Sequence, residues 1–169
     1  RNRLSYYTQS MQDEVQNRLL MTKELHMALD NHQFEIYYQP IVEIATGNIR
    51  KAEALIRWHH PERGMVRPEE FIPLAESTEL IIPIGDWVFK EAVKQVKLWR
   101  SKFHESFQMS VNKSPVQIRH EGSAEYSWPD YLKQQEVGGD SITIEITEGL
   151  LLNAEAKIQS TEIIQLESR

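Results

Sequence analysis

The chain has 169 residues, with 19 Lys and Arg against 25 Asp and Glu, and a formal net charge of -6 at pH 7. This length predicts one domain, or one domain with an appendage, that buries a hydrophobic core. The acidic balance argues against polymeric nucleic acid as a partner, and the absence of cysteine excludes disulfides and thiolate metal sites.

No stretch of the sequence resembles a membrane span. The longest apolar run, residues 80–84, is far shorter than the roughly 20 residues that cross a bilayer, so we expect no membrane contact by this segment. The chain begins with Arg1 rather than Met and has no charged-then-apolar leader. We therefore expect a segment of a larger cytoplasmic protein, which could carry a membrane anchor elsewhere.

Residues 1–30 contain no Gly and no Pro and are predicted to form one long amphipathic helix. Its apolar residues at helical spacing are Leu4, Tyr7, Met11, Val15 and Leu19. A second apolar set, Leu25, Ala28 and Leu29, would dock the helix on the rest of the domain. Two interpretations of the first half stay open: a solvated connector, or a helix that pairs with a second copy, although the apolar stripe keeps no strict heptad.

The pattern changes to period two after residue 33 and predicts strands. Phe34, Ile36 and Tyr38 alternate with polar positions, and Pro40 is expected to interrupt the strand. A turn at residues 46–48 then leads into a second strand over residues 49–58, followed by a loop over residues 59–64.

The remaining segments alternate between helix and strand. Further helices are predicted from Pro68 and over residues 84–100, 128–135 and 155–169, and strands over residues 107–112 and 142–146. Strand, helix, strand, helix, strand from residue 49 onward predicts parallel strands and an α/β fold.

Polar side chains lie late in these strands, where α/β proteins bind ligands. They are Glu53, Asn112, and Glu145 with Glu148. Carboxylate and amide oxygens favour hard cations such as Mg²⁺, Mn²⁺ or Ca²⁺ over zinc. Taken singly, each acid is more often a surface or salt-bridged residue.

Six blocks in order resemble the EAL-domain family of cyclic di-GMP phosphodiesterases. The blocks are residues 38–41 (YQPI), 53–58 (EALIRW), 68–76 (PEEFIPLAE), 84–88 (IGDWV), 111–115 (VNKSP) and 144–148 (IEITE). The resemblance implies a modified TIM-type (β/α)8 barrel with an antiparallel first strand, here incomplete and preceded by the long helix. It also implies metal-dependent hydrolysis of the second messenger cyclic di-GMP to linear pGpG.

The resemblance also implies roles for single residues. Glu53, Asn112 and Glu145 would bind Mg²⁺ or Mn²⁺, with Ca²⁺ inhibitory; Glu53 and Glu148 would act in catalysis; and Gln39, Leu55 and Arg57 would contact the nucleotide. A salt bridge to Glu53 or Glu62 is the alternative for Arg57. The sequence departs from the family at Lys113, usually apolar, and at Glu79, usually Gly; both are expected to be peripheral.

The implied domain organisation is a linker helix at 1–30 and a partial EAL domain at 31–169. The paired-Asp loop, Lys, Glu and Gln that the family carries further on have no counterpart after residue 154, so we expect about half of a barrel of about 250 residues. We expect this segment to be inactive alone and to self-associate or dimerise, and an upstream diguanylate cyclase or sensor domain in the parent protein. Three function classes remain: the phosphodiesterase, a non-catalytic cyclic di-GMP receptor, and a pure interaction module.

Overall fold

The computed structural model of the protein describes residues 9–120, 127–146 and 163–165. The helices are α1 (Gln9–Ala28), α2 (Pro68–Ser77), α3 (Ile81–Lys102), α4 (Pro115–Arg119) and α5 (Trp128–Gln134). The strands are β1 (Phe34–Val42), β2 (Ile49–His60), β3 (Gly64–Val66), β4 (Gln108–Lys113), β5 (Ile142–Ile146) and β6 (Ile163–Gln165). No helix in these ranges is long and apolar enough to cross a membrane.

The strands form one mixed sheet in the order β1-β2-β4-β5-β6, and β3 pairs with β2. β2, β4 and β5 run parallel, joined by helical crossovers, whereas β1 is antiparallel to β2. This arrangement confirms both the α/β fold and the antiparallel first strand.

The core lies between one face of the sheet and the helices. Alternate β2 residues such as Ala52, Ala54 and Trp58 are buried there, against Phe71 of α2 and Phe89 of α3. Successive strand side chains point to opposite faces, so the residues between them belong to the other face. That second face carries Glu53, Leu55 and Arg57.

Three predictions of secondary structure were wrong: two concern where a strand ends, and one concerns whether a segment is a helix or a strand. β1 continues through Pro40, which is opposite Ala52, because an edge strand tolerates a residue without an N–H on its unpaired side. β2 continues to His60, since a tight hairpin pairs His60 with Gly64 where we predicted a loop. Residues 163–165 form β6, antiparallel to β5, where a helix was predicted over residues 155–169. A free strand edge offers unpaired N–H and C=O groups, and β-branched isoleucines favour pairing with it.

α1 docks through its C-terminal end. Leu25 and Ala28 are 1% and 0% exposed, whereas Val15 and Leu19 are 52% and 60% exposed. Both interpretations of the first half of α1 stay open, because a solvated connector and a pairing helix would each expose these residues. The domain division at residue 30 likewise stays a prediction.

The structure describes both residues that depart from the family pattern, Glu79 and Lys113. Glu79 has a φ of 61°, in the left-handed region that favours glycine. Lys113 is only 8% exposed, and its Nζ lies 4.3 Å from the centre of the Trp128 ring. Lys113 therefore belongs to the interior rather than to the periphery, since a cation on an aromatic face is tolerated there.

Candidate functional site

Glu53 and Asn112 contact each other on the sheet face away from the helices. The Asn112 Nδ2 donates a hydrogen bond of 2.7 Å to the Glu53 Oε1. The contact forms because Glu53 is opposite Ser110, and Asn112 follows two residues later on the same face of β4. With its amide nitrogen directed at Glu53, Asn112 has an amide oxygen, Oδ1, of the kind that coordinates a hard cation.

Glu145 belongs to the same group. It is directly opposite Asn112 in the parallel pairing of β4 with β5 and is half-buried. Opposite residues on neighbouring strands share a face, with Cβ atoms about 5 Å apart. The sheet register thus brings together the three predicted metal ligands from three consecutive parallel strands.

Ser110 lies beneath this group. It is fully buried, and its Oγ has no hydrogen-bond partner in the part of the chain that the structure describes. A buried hydroxyl without a partner is costly, so a polar ligand near this face would be stabilised.

The donors have the chemistry that a hard divalent cation prefers. Two carboxylates and an amide oxygen converge, with no sulfur or imidazole among them. Within residues 9–120, 127–146 and 163–165, no three His, Asp or Glu side chains lie close enough to share a metal. Glu53 and Glu145 are the acidic members of the group and Asn112 adds an amide oxygen, so the group has the donor chemistry of a hard-cation site without containing three acidic residues. Glu148 lies outside the described residues.

The predicted nucleotide contacts line the same face beside Glu53. Gln39 of β1 is opposite Glu53, and Leu55 and Arg57 follow Glu53 at two-residue steps along β2. The Arg57 Nη1 donates 2.9 Å to the Ile56 carbonyl, and its Cζ lies 5.3 Å from the centre of the Tyr37 ring. No ion pair of Arg57 with Glu53 or Glu62 occurs among the described residues, so the structure does not adopt the alternative that we considered for Arg57.

A cavity of about 250 Å³ opens at the C-terminal ends of β2 and β4, between α2 and α3. Leu55, Arg57 and Asn112 lie on its wall, together with Glu76 of α2 and Ser114. Most of its lining is apolar and comes from α2, α3 and the helix-facing side of β2. Neither Glu53 nor Glu145 lies on it, so this cavity is distinct from the sheet face that carries the oxygen donors.

A hydrogen-bond network that the sequence analysis missed fixes the turn after Asn112. The Ser114 Oγ donates 2.6 Å to the Glu76 Oε1, and the Ser114 backbone N–H donates 3.0 Å to the Gln117 Oε1. The Ser114 side chain accepts from the Val116 N–H, and it also accepts from the Gln117 backbone in the reciprocal capping box at the start of α4. The Ser-Pro-Val-Gln sequence at 114–117 is the signal that would have predicted it.

A protein-family comparison decides the assignment. The model of the EAL domain matches residues 22–169. The chain belongs to the EAL domain family. The six sequence blocks that resembled this family are thereby confirmed as a family relationship, and the described sheet is part of its TIM-barrel-like fold.

Two relatives are similar in sequence to most of this chain. The bifunctional diguanylate cyclase/cyclic di-GMP phosphodiesterase MucR of Pseudomonas aeruginosa is 36% identical over 148 residues, which are 88% of this chain and 22% of MucR. The cyclic di-GMP phosphodiesterase PdeR of Escherichia coli is 36% identical over 156 residues, 90% of this chain and 22% of PdeR. The chain thus spans about a fifth of the length of these relatives.

Solved EAL structures share the fold. The PaMucR phosphodiesterase in its c-di-GMP complex superimposes with a TM-score of 0.74 at 35% identity, covering 80% of this chain and 54% of that one. The cGMP-bound EAL enzyme Bd1971 superimposes with a TM-score of 0.77 at 27% identity, covering 85% and 41% of the two chains.

Proposed function

We propose that the protein carrying this chain hydrolyses cyclic di-GMP to linear pGpG in a reaction that depends on Mg²⁺ or Mn²⁺. The observation that carries this proposal is the convergence of Glu53, Asn112 and Glu145, with the 2.7 Å contact between the first two. Two relatives at 36% identity are named as cyclic di-GMP phosphodiesterases, which supports the same substrate.

Glu53, Asn112 and Glu145 would hold the cation. When bound, a divalent cation neutralises phosphate charge and lowers the pKa of an attacking water. The protein's own contribution is to place two carboxylates together, which repel one another unless a positive charge lies between them. We propose that Glu148, the next acid along the chain, acts with Glu53 in catalysis.

Arg57, Leu55 and Gln39 would hold the substrate. A guanidinium presents a planar fork of N–H donors that matches two phosphate oxygens. The Leu55 side chain offers apolar surface next to it, and the Gln39 amide can pair with the hydrogen-bonding edge of a guanine. Because these residues share one sheet face with the oxygen donors, and Arg57 lies about 13 Å along β2 from Glu53, an extended nucleotide on this face could contact both.

The wider organisation of the protein is part of the proposal. MucR is named as a bifunctional protein and is several times longer than the matched segment, which supports an upstream diguanylate cyclase or sensor domain here. Self-association or dimerisation of the protein is also part of the proposal, and the exposed apolar residues of α1 are compatible with it. We place the domain in the cytoplasm, where a nucleotide second messenger would reach it.

The test uses the intact protein with matched variants. Mn²⁺ affinity by calorimetry and pGpG release by chromatography are measured for the native protein, Glu53→Gln, Asn112→Ala and Glu105→Gln. We expect the first two variants to lose Mn²⁺ affinity and turnover, and Glu105→Gln, an exposed acid before the opposite end of β4, to keep both. Unchanged Mn²⁺ affinity in both site variants would refute the cation assignment. Nucleotide binding without pGpG release by the native protein would favour the receptor over the enzyme.

A further inference from the structure

Glu35 does not pair with Arg57, although the strand register places the two residues opposite each other. Glu35 of β1 is directly opposite Arg57 of β2, and opposite charges in that relation normally attract each other. Glu35 instead contacts His59, with 2.8 Å between the Glu35 Oε2 and the His59 Nε2. This contact does not require a charged imidazole, because a neutral ring can donate from Nε2 as well.

Arg57 lies against Tyr37 instead. Its Cζ is 5.3 Å from the centre of the ring, within the range of a cation–π contact. The ring holds the guanidinium through its face and occupies none of its five N–H donors, and the Ile56 carbonyl accepts only one. No carboxylate in the described ranges forms an ion pair with Arg57, so most of its donors can reach a phosphate.

We propose that Tyr37 and His59 are positioning residues for the ligand-binding Arg57. Tyr37 supports the guanidinium from one side, and His59 holds Glu35 away from it. The inference rests on the proposed function, since it assigns Arg57 to a phosphate of the substrate. Neither Tyr37 nor His59 touches the substrate in this account.

Because Tyr37, His59 and Glu35 are exposed, we expect their contacts to affect the affinity for the ligand more than the stability of the fold. Tyr37 is 43% exposed, and the side chains of His59 and Glu35 are 43% and 59% exposed. Ion pairs at such exposure contribute little to stability. Removing them should therefore leave the unfolding transition nearly unchanged while altering how readily Arg57 meets a phosphate.

The experiment measures binding of fluorescent cyclic di-GMP to the intact protein in Ca²⁺, which is expected to limit turnover. Tyr37→Ala should weaken binding about two- to fivefold, and Tyr37→Phe, which keeps the ring, should match the native protein. His59→Ala should weaken binding by a similar factor of about two to five, because Glu35 is then free to pair with Arg57. Adding Glu35→Gln to His59→Ala should restore native affinity, since a neutral amide no longer competes for the guanidinium.

Rescue by Glu35→Gln is an effect that a merely structural role of His59 would not produce. Thermal unfolding midpoints measured in parallel should agree among all variants. The Arg57→Ala variant distinguishes failure of the proposed role of Arg57 from failure of the positioning roles of Tyr37 and His59. If Arg57→Ala binds as tightly as the native protein, the proposed role of Arg57 fails, and this inference fails with it. If Arg57→Ala binds more weakly but Tyr37→Ala and His59→Ala bind normally, or if Glu35→Gln does not rescue, only the positioning inference is overturned.

Discussion

Substituting Gly85 by Ala tests how α3 and α4 fix the turn that follows Asn112. Gly85 lies in the buried face of α3, and a Cβ at this position would be 2.0 Å from the Gln117 Nε2 and 2.6 Å from its Cδ. Gln117 is only 7% exposed, and its Oε1 accepts the Ser114 backbone N–H at 3.0 Å. The glycine is therefore required by close approach rather than by an unusual backbone angle.

Opposing contributions to the free energy of unfolding determine how strongly Gly85→Ala changes stability. If α3 and α4 move apart, the repacking costs about 1–3 kcal/mol. If Gln117 moves away instead, the Ser114 N–H loses its partner, at a similar cost of about 1–3 kcal/mol. Alanine is more favourable than glycine inside a helix by about 1 kcal/mol, which offsets part of either cost. We expect Gly85→Ala to lower the free energy of unfolding by up to about 2 kcal/mol.

Urea unfolding followed by tryptophan fluorescence measures this loss, and a double-mutant cycle isolates its cause. In a Gln117→Ala background the clash is gone, so Gly85→Ala should be neutral or stabilising. The two substitutions should then deviate from additivity by at least about 1 kcal/mol. Effects that add to within about 0.5 kcal/mol would refute the reasoning, since they would show that the added methyl group does not meet Gln117.

Three further predictions concern stability. Glu79→Gly should raise the free energy of unfolding by about 0.5–1 kcal/mol in the same urea assay, because glycine adopts the φ of 61° without strain; a loss would contradict this. Glu24→Ala should lower it by about 0.5–1 kcal/mol, the size of a partly exposed ion pair. The Glu24 Oε2 lies 3.3 Å from the Nε2 of the buried His60 and 3.4 Å from the Nε of Arg63, although it forms no hydrogen bond among the described residues. Unchanged stability would refute this linkage between α1 and the β2–β3 hairpin. Burial raises the pKa of Tyr38 to about 12 from 10.0, so its stabilising contribution is complete below pH 10 and is lost as the pH rises toward 12. Alkaline unfolding should therefore be less steep in Tyr38→Phe, and identical curves would rule out this contribution.

Much of the architecture could be predicted from the sequence because its signals are local. Alternation at Phe34, Ile36 and Tyr38 identified a strand, and the order of strands and helices after residue 49 implied parallel pairing. Parallel strands have their carboxyl ends at one edge, so Glu53, Asn112 and Glu145 could be expected on the same side of the sheet. The sequence also showed the family, through blocks that each need only a few adjacent residues.

Contacts between distant segments were decided by the tertiary structure alone. The strand register places Asn112 opposite Glu145 and within 2.7 Å of Glu53, and a shift of one residue would have turned these side chains to the other face. Whether Glu35 pairs with Arg57 or with His59 depends on side-chain geometry across two strands, because the register brings Glu35 within reach of both. The wrong predictions of secondary structure have the same origin. Pro40 fits in a strand because β1 lies at the edge of the sheet, and residues 163–165 form a strand because they pair with the edge of β5. Local patterns determine which face of a strand is apolar, but packing of the whole domain determines which residues meet across it.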